Sequence, residues 1–187
     1  MNPLERVLAL LPDELFAGDG PVPRRPFVLA LDGRSGAGKT DLAAAVAARV
    51  PGAQVLALED AYRGWRGLRE GVEVVAADVL APLRAGRPGS YRRYDWVRGE
   101  LGETVHVAPS AVVVIEGCGA GSLPCAPYVD ALVWLEAPEH ERHHRAMARD
   151  DGTWLDQWST WAAQESELLA ERDARAAADA VIDTSTE

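Results

Sequence analysis

Residues 33–40 read GRSGAGKT and match the pattern G-x-x-x-x-G-K-[ST], which is typical of loops that bind polyphosphate. The glycines let backbone N–H groups wrap around an anion, and the positive end of a following helix points at the same charge. Lys39 is expected to reach the β- and γ-phosphates of ATP, and Thr40 to ligate Mg²⁺. The predicted nucleotide-binding residues of this phosphate loop are Gly33, Arg34, Ser35, Gly36, Ala37, Gly38, Lys39 and Thr40.

Lys39 is the single lysine among the 19 basic residues of the chain, and all the others are arginines. A compact ammonium fits between phosphates where a planar guanidinium fits badly. The presence of the single lysine at this position therefore favours a catalytic role for Lys39 over a chance result of a composition rich in arginine.

Acidic side chains follow two other predicted strands. Glu116 comes directly after the apolar run 111–115, and Glu59 and Asp60 follow the strand predicted at 54–58. Because open α/β sheets gather functional groups at the carboxyl edge, Glu116 is expected to hold Mg²⁺ through water. One of Glu59 and Asp60 is expected to orient an acceptor hydroxyl and take its proton, and Asp60 is also a candidate Mg²⁺ ligand. The residues alone leave open a helix-capping or solvent-exposed role for Glu116 and a solvent-exposed role for Glu59 and Asp60.

Three arginines recur at intervals of three and four residues in a charged segment: Arg142, Arg145 and Arg149. On a helix they share one face and can converge on phosphate oxygens when a lid closes, so we predict a lid at about 138–152. The first is expected to contact the nucleotide and the other two to act in catalysis. The alternative is a solvated helix whose arginines pair with Glu139 and Glu141.

The same segment contains H-E-x-x-H at residues 140–144, a pattern of zinc-binding helices. His140 and His144 would share a helix face, and Glu165 is a third ligand on spacing alone. In a chain with a complete phosphate loop, a segment that directly follows a predicted core strand favours phosphate chemistry over zinc. Three tryptophans at helical spacing are interpreted as packing residues: Trp154, Trp158 and Trp161.

Apolar runs alternate with helical patterns along the chain, which predicts an α/β fold with a mostly parallel sheet and helices on both faces. Strands are predicted at 27–31, 54–58, 111–115, 131–135 and 180–182. Helices are predicted at 3–11, 41–50, about 72–84, in the charged stretch up to 149, and at about 155–175. A hairpin is predicted from 91–96 and 104–107. Residues 1–187 form one predicted domain, in which 1–26 is an N-terminal helix and connector.

The net charge of −10 argues against a nucleic-acid partner, because such binding draws most of its affinity from basic residues that neutralise phosphates. The apolar runs are far shorter than the roughly 20 residues of a membrane helix, and Glu5 and Arg6 interrupt the N-terminus. We therefore expect a cytoplasmic protein with a small-molecule phosphoryl acceptor and no membrane partner, and the oligomeric state stays open. Cys118 and Cys125 lack metal-ligand spacing and are expected to be reduced thiols.

Residues 27–182 resemble the uridine kinase-like branch of P-loop nucleoside kinases, in the nucleoside kinase and phosphoribulokinase-type family. The segments that carry the resemblance are LDGRSGAGKT at 31–40, EDAY at 59–62, YDW at 94–96 with ETV at 103–105, VIEG at 114–117, and Arg145 with Arg149-Asp150. The resemblance implies five parallel strands, Glu59 as the base, Glu116 as an aid to Mg²⁺, and lid roles for the two arginines.

The resemblance also implies an acceptor site, which we assign to Tyr62, Arg93, Tyr94 and Asp95. The chain departs from the family at two places. The family usually has Asp where this chain has Glu59, and a His that tends to follow the Tyr-Asp pair is missing from 97–99. The resemblance makes a nucleoside the first expected acceptor. Because of the two departures, a nucleoside monophosphate or sugar acid that meets Arg92 and Arg93 is the alternative. A switch protein that binds ATP without any acceptor is a further alternative.

Overall fold

Five parallel strands form the central sheet of the computed structural model, which describes residues 1–17, 23–149 and 155–185. Along the chain, the strands are β1 (Phe27–Asp32), β2 (Gln54–Ala57), β3 (Gly89–Asp95), β4 (Glu100–Val107), β5 (Val112–Glu116), β6 (Ala131–Glu136) and β7 (Ala180–Asp183). The order across the sheet is β2-β5-β1-β6-β7, and every neighbouring pair is parallel. Because β1 is the central strand, the loop that follows it opens at the middle of the carboxyl edge.

The helices flank this sheet on both faces. They are α1 (Pro3–Leu8), α2 (Lys39–Ala47), α3 (Leu68–Val74), α4 (Ala81–Arg84), α5 (Glu139–Arg149) and α6 (Trp158–Glu171). Residues Val75–Leu80 form a π-helix between α3 and α4, so the chain is helical without a break from 68 to 84. The predicted α/β fold, with a parallel five-stranded sheet between helical layers, is confirmed.

Two hydrophobic clusters lie on opposite faces of the sheet, because successive residues of a strand point in opposite directions. In β1, Leu29 and Leu31 join the cluster of α1 and α2, whereas Val28 and Ala30 join the cluster of α3, α4 and α6. Strand β5 is buried along its whole length. Burial on both faces explains why the central strands read as continuous apolar runs rather than as alternating ones.

Strands β3 and β4 form a separate antiparallel hairpin, with a register shift between Arg92 and Tyr94. Tyr91 and Val107 anchor it, because both side chains are buried in the cluster of α3 and α4. At the tip, the Asp95 carboxylate accepts hydrogen bonds from the backbone N–H groups of Val97 and Arg98. The hairpin is thus held against the domain at its base and folded by a carboxylate at its tip.

The observed helices differ from the predicted ones at their ends. Helix α2 begins at Lys39, two residues earlier than expected, because Gly38 adopts a left-handed conformation and starts the helix directly after the loop. Helix α3 begins at Leu68, four residues before the predicted start. Helix α6 is shorter at both ends than the predicted 155–175.

Some expectations concern residues outside the described ranges. They include part of the N-terminal connector, the end of the predicted lid with Asp150, and Trp154. Within the described ranges, none of the helices combines the length and the apolar character that crossing a membrane requires.

Paired positions on neighbouring strands allow a matched test of this packing. Val114 of β5 is fully buried, and its partner Val55 on the edge strand β2 is 45% exposed. We predict that Val114→Ala lowers the free energy of unfolding by about 2 kcal/mol, because two methyl groups leave a filled core. Val55→Ala should cost less than about 1 kcal/mol. Urea unfolding of both variants checks this, and equal costs would contradict the described sheet order.

Candidate active site

The phosphate loop runs from the end of β1 to the start of α2, and Asp32 holds its first residue. The buried carboxylate of Asp32 accepts hydrogen bonds from the backbone N–H groups of Gly33 at 2.6 Å, Gly119 at 2.9 Å and Gly121 at 2.8 Å. Burial raises the pKa of Asp32, although these three bonds oppose the shift. The side chain therefore ties the start of the loop to the segment that follows β5.

All three glycines of the loop have a positive φ that a side chain would strain, and the surroundings of Gly36 and Gly38 differ. Gly36 has φ +80° and lies directly against the backbone carbonyl of Arg142, which leaves no room for a Cβ. Gly38 has φ +86°, and a Cβ built there would meet no atom within 4 Å. The loop is therefore packed against α5 at Gly36 and opens onto free space at Gly38. An open cradle of this kind, at the N-terminus of α2, fits a phosphate group.

Lys39 and Thr40 continue the loop into the first turn of α2. The buried ammonium of Lys39 donates to the carbonyls of Gly33 at 2.7 Å and Arg34 at 3.1 Å. Burial lowers the pKa of Lys39, but the acidic groups around it outweigh that effect and the net pKa is raised, so the ammonium stays charged. The hydroxyl of Thr40 donates to the Glu116 carboxylate at 3.2 Å. This hydroxyl and carboxylate form an oxygen pair that fits a hydrated Mg²⁺ beside bound phosphates.

A cavity of about 870 Å³ opens above the loop. The phosphate loop, two α5 arginines, carboxylates and aromatic rings all contribute to its lining. The polar and charged side chains in its lining include Ser35, Lys39, Thr40, Asp41, Glu59, Glu116, Arg145 and Arg149. Its aromatic side chains are Tyr62, Trp65, Trp96 and Trp161. This volume falls within the range of small-molecule sites.

The structure separates the two adjacent acids that the sequence left as alternatives. Glu59 lines the cavity, and its backbone carbonyl accepts a bond from the Trp96 indole N–H at 3.2 Å. Asp60 instead accepts bonds from the Tyr91 hydroxyl at 3.3 Å and from Arg93 Nε at 3.1 Å. Burial raises the pKa of Tyr91 to about 12, which keeps this hydroxyl a donor. Asp60 thus binds the hairpin, although it was also predicted as a metal ligand.

Glu116 lies at the carboxyl end of β5, where the sequence placed it, and its side chain is buried. Burial raises its pKa, Lys39 acts in the opposite direction, and Glu59 adds to the rise. The charge of Glu59 therefore acts on the Glu116 carboxylate, and both residues line the cavity. A cation bound between them would relieve this repulsion.

The α5 arginines contact the backbone of the phosphate loop. Arg142 is buried and donates to the Ser35 carbonyl at 3.1 Å. Arg145 donates to the Gly36 carbonyl at 3.4 Å and to the Thr184 carbonyl at 2.7 Å, and it pairs with Glu141 at 2.8 Å. Arg145 and Arg149 line the cavity, whereas Arg142 supports the loop from the side. The ion pair with Glu141 agrees with the alternative interpretation of the charged helix, and the contact of these arginines with phosphate stays a prediction.

The predicted acceptor residues occupy different surroundings. Tyr62 lines the cavity and is buried, with its hydroxyl donating to the Cys118 carbonyl at 2.7 Å. Arg93 is bound to Asp60 and to Glu103, at 3.0 Å for the latter. Asp95 folds the hairpin turn, and the ring of Tyr94 packs edge-on against Trp96 at 5.3 Å between centroids. Arg92 donates to backbone carbonyls within the hairpin, at 101 and 102.

Sequence reasoning missed the aromatic wall of the cavity. Trp65 and Trp96 pack edge-to-face at 5.1 Å, and Trp161 packs in the same way against Tyr62 at 5.2 Å. The chain has only six tryptophans, and the gathering of three in one cavity is visible only after folding. Val97 of the hairpin tip also lines this wall.

The zinc pattern at 140–144 forms no metal site among the described residues, where no group of three or more His, Cys, Asp and Glu side chains is arranged to hold a metal. His143 packs against Trp158 at 5.0 Å between ring centroids. Glu165, the third ligand on spacing, is bound to the phosphate loop instead. Cys118 and Cys125 are free buried thiols.

Comparisons with solved structures show which fold this geometry belongs to. The chain is similar to a possible uridine kinase from Bacillus stearothermophilus, with 20% identity over 96% of this chain and 95% of that one, at a TM-score of 0.67. It is also similar to D-glycerate 3-kinase from Cryptococcus neoformans var. grubii, with 13% identity over 90% and 88% of the chains, at 0.56. Shikimate kinase from Acinetobacter baumannii matches with 19% identity over 87% and 86%, at 0.52. The sequence matches no protein-family model and no curated protein. These likenesses show a fold shared with P-loop kinases.

The contact between Gly36 and α5 gives a testable expectation. Gly36→Ala forces a Cβ against the Arg142 carbonyl. Gly52→Ala also places a side chain on a residue with positive φ, at +69°, but its Cβ meets no atom within 4 Å. Both variants carry backbone strain of roughly 1–2 kcal/mol. We predict that Gly36→Ala lowers the free energy of unfolding by about 2 kcal/mol more than Gly52→Ala, because the packed backbone cannot yield. Urea unfolding measures the difference, and equal values would contradict the described contact.

Proposed function

We propose that the protein is an ATP- and Mg²⁺-dependent phosphotransferase that phosphorylates a hydroxyl group of a small molecule. The observation that carries this proposal is one cavity lined both by Lys39 and Thr40 of the phosphate loop and by the carboxylates of Glu59 and Glu116. Phosphoryl transfer needs a phosphate cradle and a carboxylate that orients the attacking hydroxyl, on two sides of one site.

The loop supplies the phosphate cradle in this proposal. N–H groups at the start of α2 and the charged Lys39 ammonium bind the β- and γ-phosphates, and Lys39 exchanges its bonds to the loop carbonyls for bonds to phosphate oxygens. Thr40 and Glu116 would hold Mg²⁺, which neutralises the charge of the phosphates when it is bound. Arg145 and Arg149 face the same cavity and stabilise the equatorial oxygens of the transferred group.

Glu59 is the base in this proposal. It lines the cavity, whereas Asp60 is held by Arg93 and Tyr91. A carboxylate within reach of the acceptor hydroxyl orients it for attack on the γ-phosphorus and takes its proton as the new bond forms. Glu59 therefore takes the role that the resemblance to uridine kinases assigns to an acid at this position.

A nucleoside is the first candidate acceptor. The resemblance to uridine kinases suggests it, and a wall that includes Trp65 and Trp96 offers faces on which a planar ring can stack. An anionic acceptor such as a nucleoside monophosphate or a sugar acid has less support, because Arg93 is already bound to Asp60 and Glu103. An ATP-binding switch without an acceptor remains the alternative from another class.

Loss of the loop ammonium tests the mechanism. We predict that Lys39→Ala lowers phosphoryl transfer from labelled ATP by at least about 10²-fold, because one fixed positive charge on the phosphates is lost. Arg49→Ala, which removes an exposed positive charge just beyond α2, serves as the control and should leave transfer unchanged. The assay surveys nucleosides, nucleoside monophosphates, sugars and sugar acids as acceptors.

The survey also separates the candidate functions. Stoichiometric transfer to one class of hydroxyl compound supports the kinase and identifies the acceptor. Tight ATP binding with no transfer to any acceptor would favour the switch. Transfer by Lys39→Ala at the parental rate would overturn the mechanism.

The two adjacent acids give a matched pair for the base. Glu59→Gln should lower kcat by about 10²-fold or more, because the acceptor hydroxyl loses the group that takes its proton. Asp60→Asn should lower kcat far less, since its carboxylate is bound to the hairpin rather than to the cavity. Steady-state kinetics with the acceptor found in the survey measures both. A larger loss in Asp60→Asn than in Glu59→Gln would reverse the assignment.

A further inference from the structure

Helix α6 contacts the other parts of the site on successive turns. Trp158, at its start, packs against α5, with its ring 5.0 Å from that of His143 and 5.8 Å from the guanidinium carbon of Arg142. Trp161 lies one turn later in the cavity wall, 5.2 Å from Tyr62 and 6.2 Å from Trp65 between ring centroids. One helix therefore touches both the arginine helix and the aromatic wall.

The next turn of α6 binds the phosphate loop through Glu165. One carboxylate oxygen accepts hydrogen bonds from the Ser35 backbone N–H at 2.8 Å, the Ser35 hydroxyl at 3.0 Å and the Cys118 thiol at 3.2 Å. The other oxygen lies 3.6 Å from a guanidinium nitrogen of Arg34. Glu165 is only 5% exposed, so the loop is in contact with a buried carboxylate.

The residue before it, Gln164, binds the backbone near Trp65 of the aromatic wall. Its amide nitrogen donates to the Trp65 carbonyl at 2.8 Å, and its amide oxygen accepts the Leu68 N–H at 3.4 Å. Two consecutive side chains of one helix thus hold the backbone beneath the aromatic wall and the backbone of the phosphate loop. A shift of α6 along or about its axis would move both.

A buried carboxylate beside an anion-binding loop is an electrostatic burden, because it repels the phosphates that the loop attracts. Burial of such a charge is tolerated only where hydrogen bonds and opposite charges surround it, as Ser35, Cys118 and Arg34 do here. The proposed reaction steps give Glu165 no part. Its geometry points instead to control of the conformation of the first half of the loop.

We propose that Glu165 is a positioning residue that fixes the phosphate loop at Ser35. Through α6, it couples the binding of nucleotide at the loop to the conformation of the aromatic wall at Trp161. This inference rests on the proposed function in treating the loop as a nucleotide site. Coupling of this kind is reciprocal, so an acceptor that orders the wall also favours the nucleotide-bound loop.

Binding of ADP to the full chain tests the inference without any acceptor. Isothermal titration calorimetry compares the parent protein with Glu165→Gln, which keeps the shape of the side chain but not its charge. We expect the Kd for ADP to rise at least tenfold, because the loss of the charge-assisted bonds that hold Ser35 outweighs the relief of repulsion between Glu165 and the phosphates. Glu167→Gln, which makes the same change at an exposed position two residues along α6, is the matched control and should bind ADP as the parent does.

Tryptophan fluorescence supplies a readout that a merely structural role would not move. ADP should change the emission of the parent protein, and Trp161→Phe should remove most of that change, which assigns it to the wall. At saturating ADP, Glu165→Gln should fail to produce the change even though the nucleotide is bound. Ser35→Ala, which keeps the backbone bond to Glu165 and loses the hydroxyl bond, should give an intermediate Kd and provides a second variant if Glu165→Gln does not fold.

Each outcome decides between the claims. Parental affinity and parental emission change in Glu165→Gln, or in Ser35→Ala where the first variant fails to fold, would overturn the inference. Weaker binding with an unchanged emission response would overturn the coupling. A parent protein that shows the coupled ADP response but phosphorylates no acceptor would remove the kinase proposal and leave this inference standing. Failure of the parent to bind ADP would overturn both.

Discussion

The conformation of the phosphate loop depends on side chains that reach it both from the preceding strand and from distant parts of the chain. Asp32 anchors its first residue to the segment after β5, and Glu165 holds Ser35 from α6. Arg142 and Arg145 hold two of its carbonyls from α5. The loop also has a backbone hydrogen bond of its own, from the Ala37 N–H to the Arg34 carbonyl at 3.1 Å. The other contacts come from outside the loop, and β1, α5 and α6 supply them.

The local charge beside this loop differs in sign from the net charge of the protein. The protein carries a net charge of −10, yet the basic side chains of Lys39, Arg145 and Arg149 line the cavity. The acids Glu116 and Glu165 lie behind and beside the ammonium, and they help to keep it charged despite its burial. Such a gathering of positive charge agrees with the proposed polyphosphate ligand, and the exclusion of nucleic acid stays a prediction from the net charge.

The contacts of the hairpin determine which acidic and basic side chains near it line the cavity. It binds Asp60 through Tyr91 and Arg93, which leaves Glu59 as the acid of this pair that lines the cavity. The same contacts engage an arginine that an anionic acceptor would need. Together with the tryptophans of the wall, they support the proposal of an acceptor that presents a flat or apolar surface beside its hydroxyl group.

The sequence alone predicted the sheet, the position of the loop after β1 and the position of Glu116 at the end of β5. Those signals are local, because a strand is indicated by its apolar run and the loop by glycines at fixed spacing around Lys39. Helix ends were less accurate, since Gly38 starts α2 by a backbone conformation that spacing does not encode. The contacts that place Glu59 apart from Asp60, the tryptophan wall, and the bond between Glu165 and the loop were decided by the tertiary structure. Each depends on distances between residues far apart in the chain, and only the packing of helices and hairpin onto the sheet sets those distances.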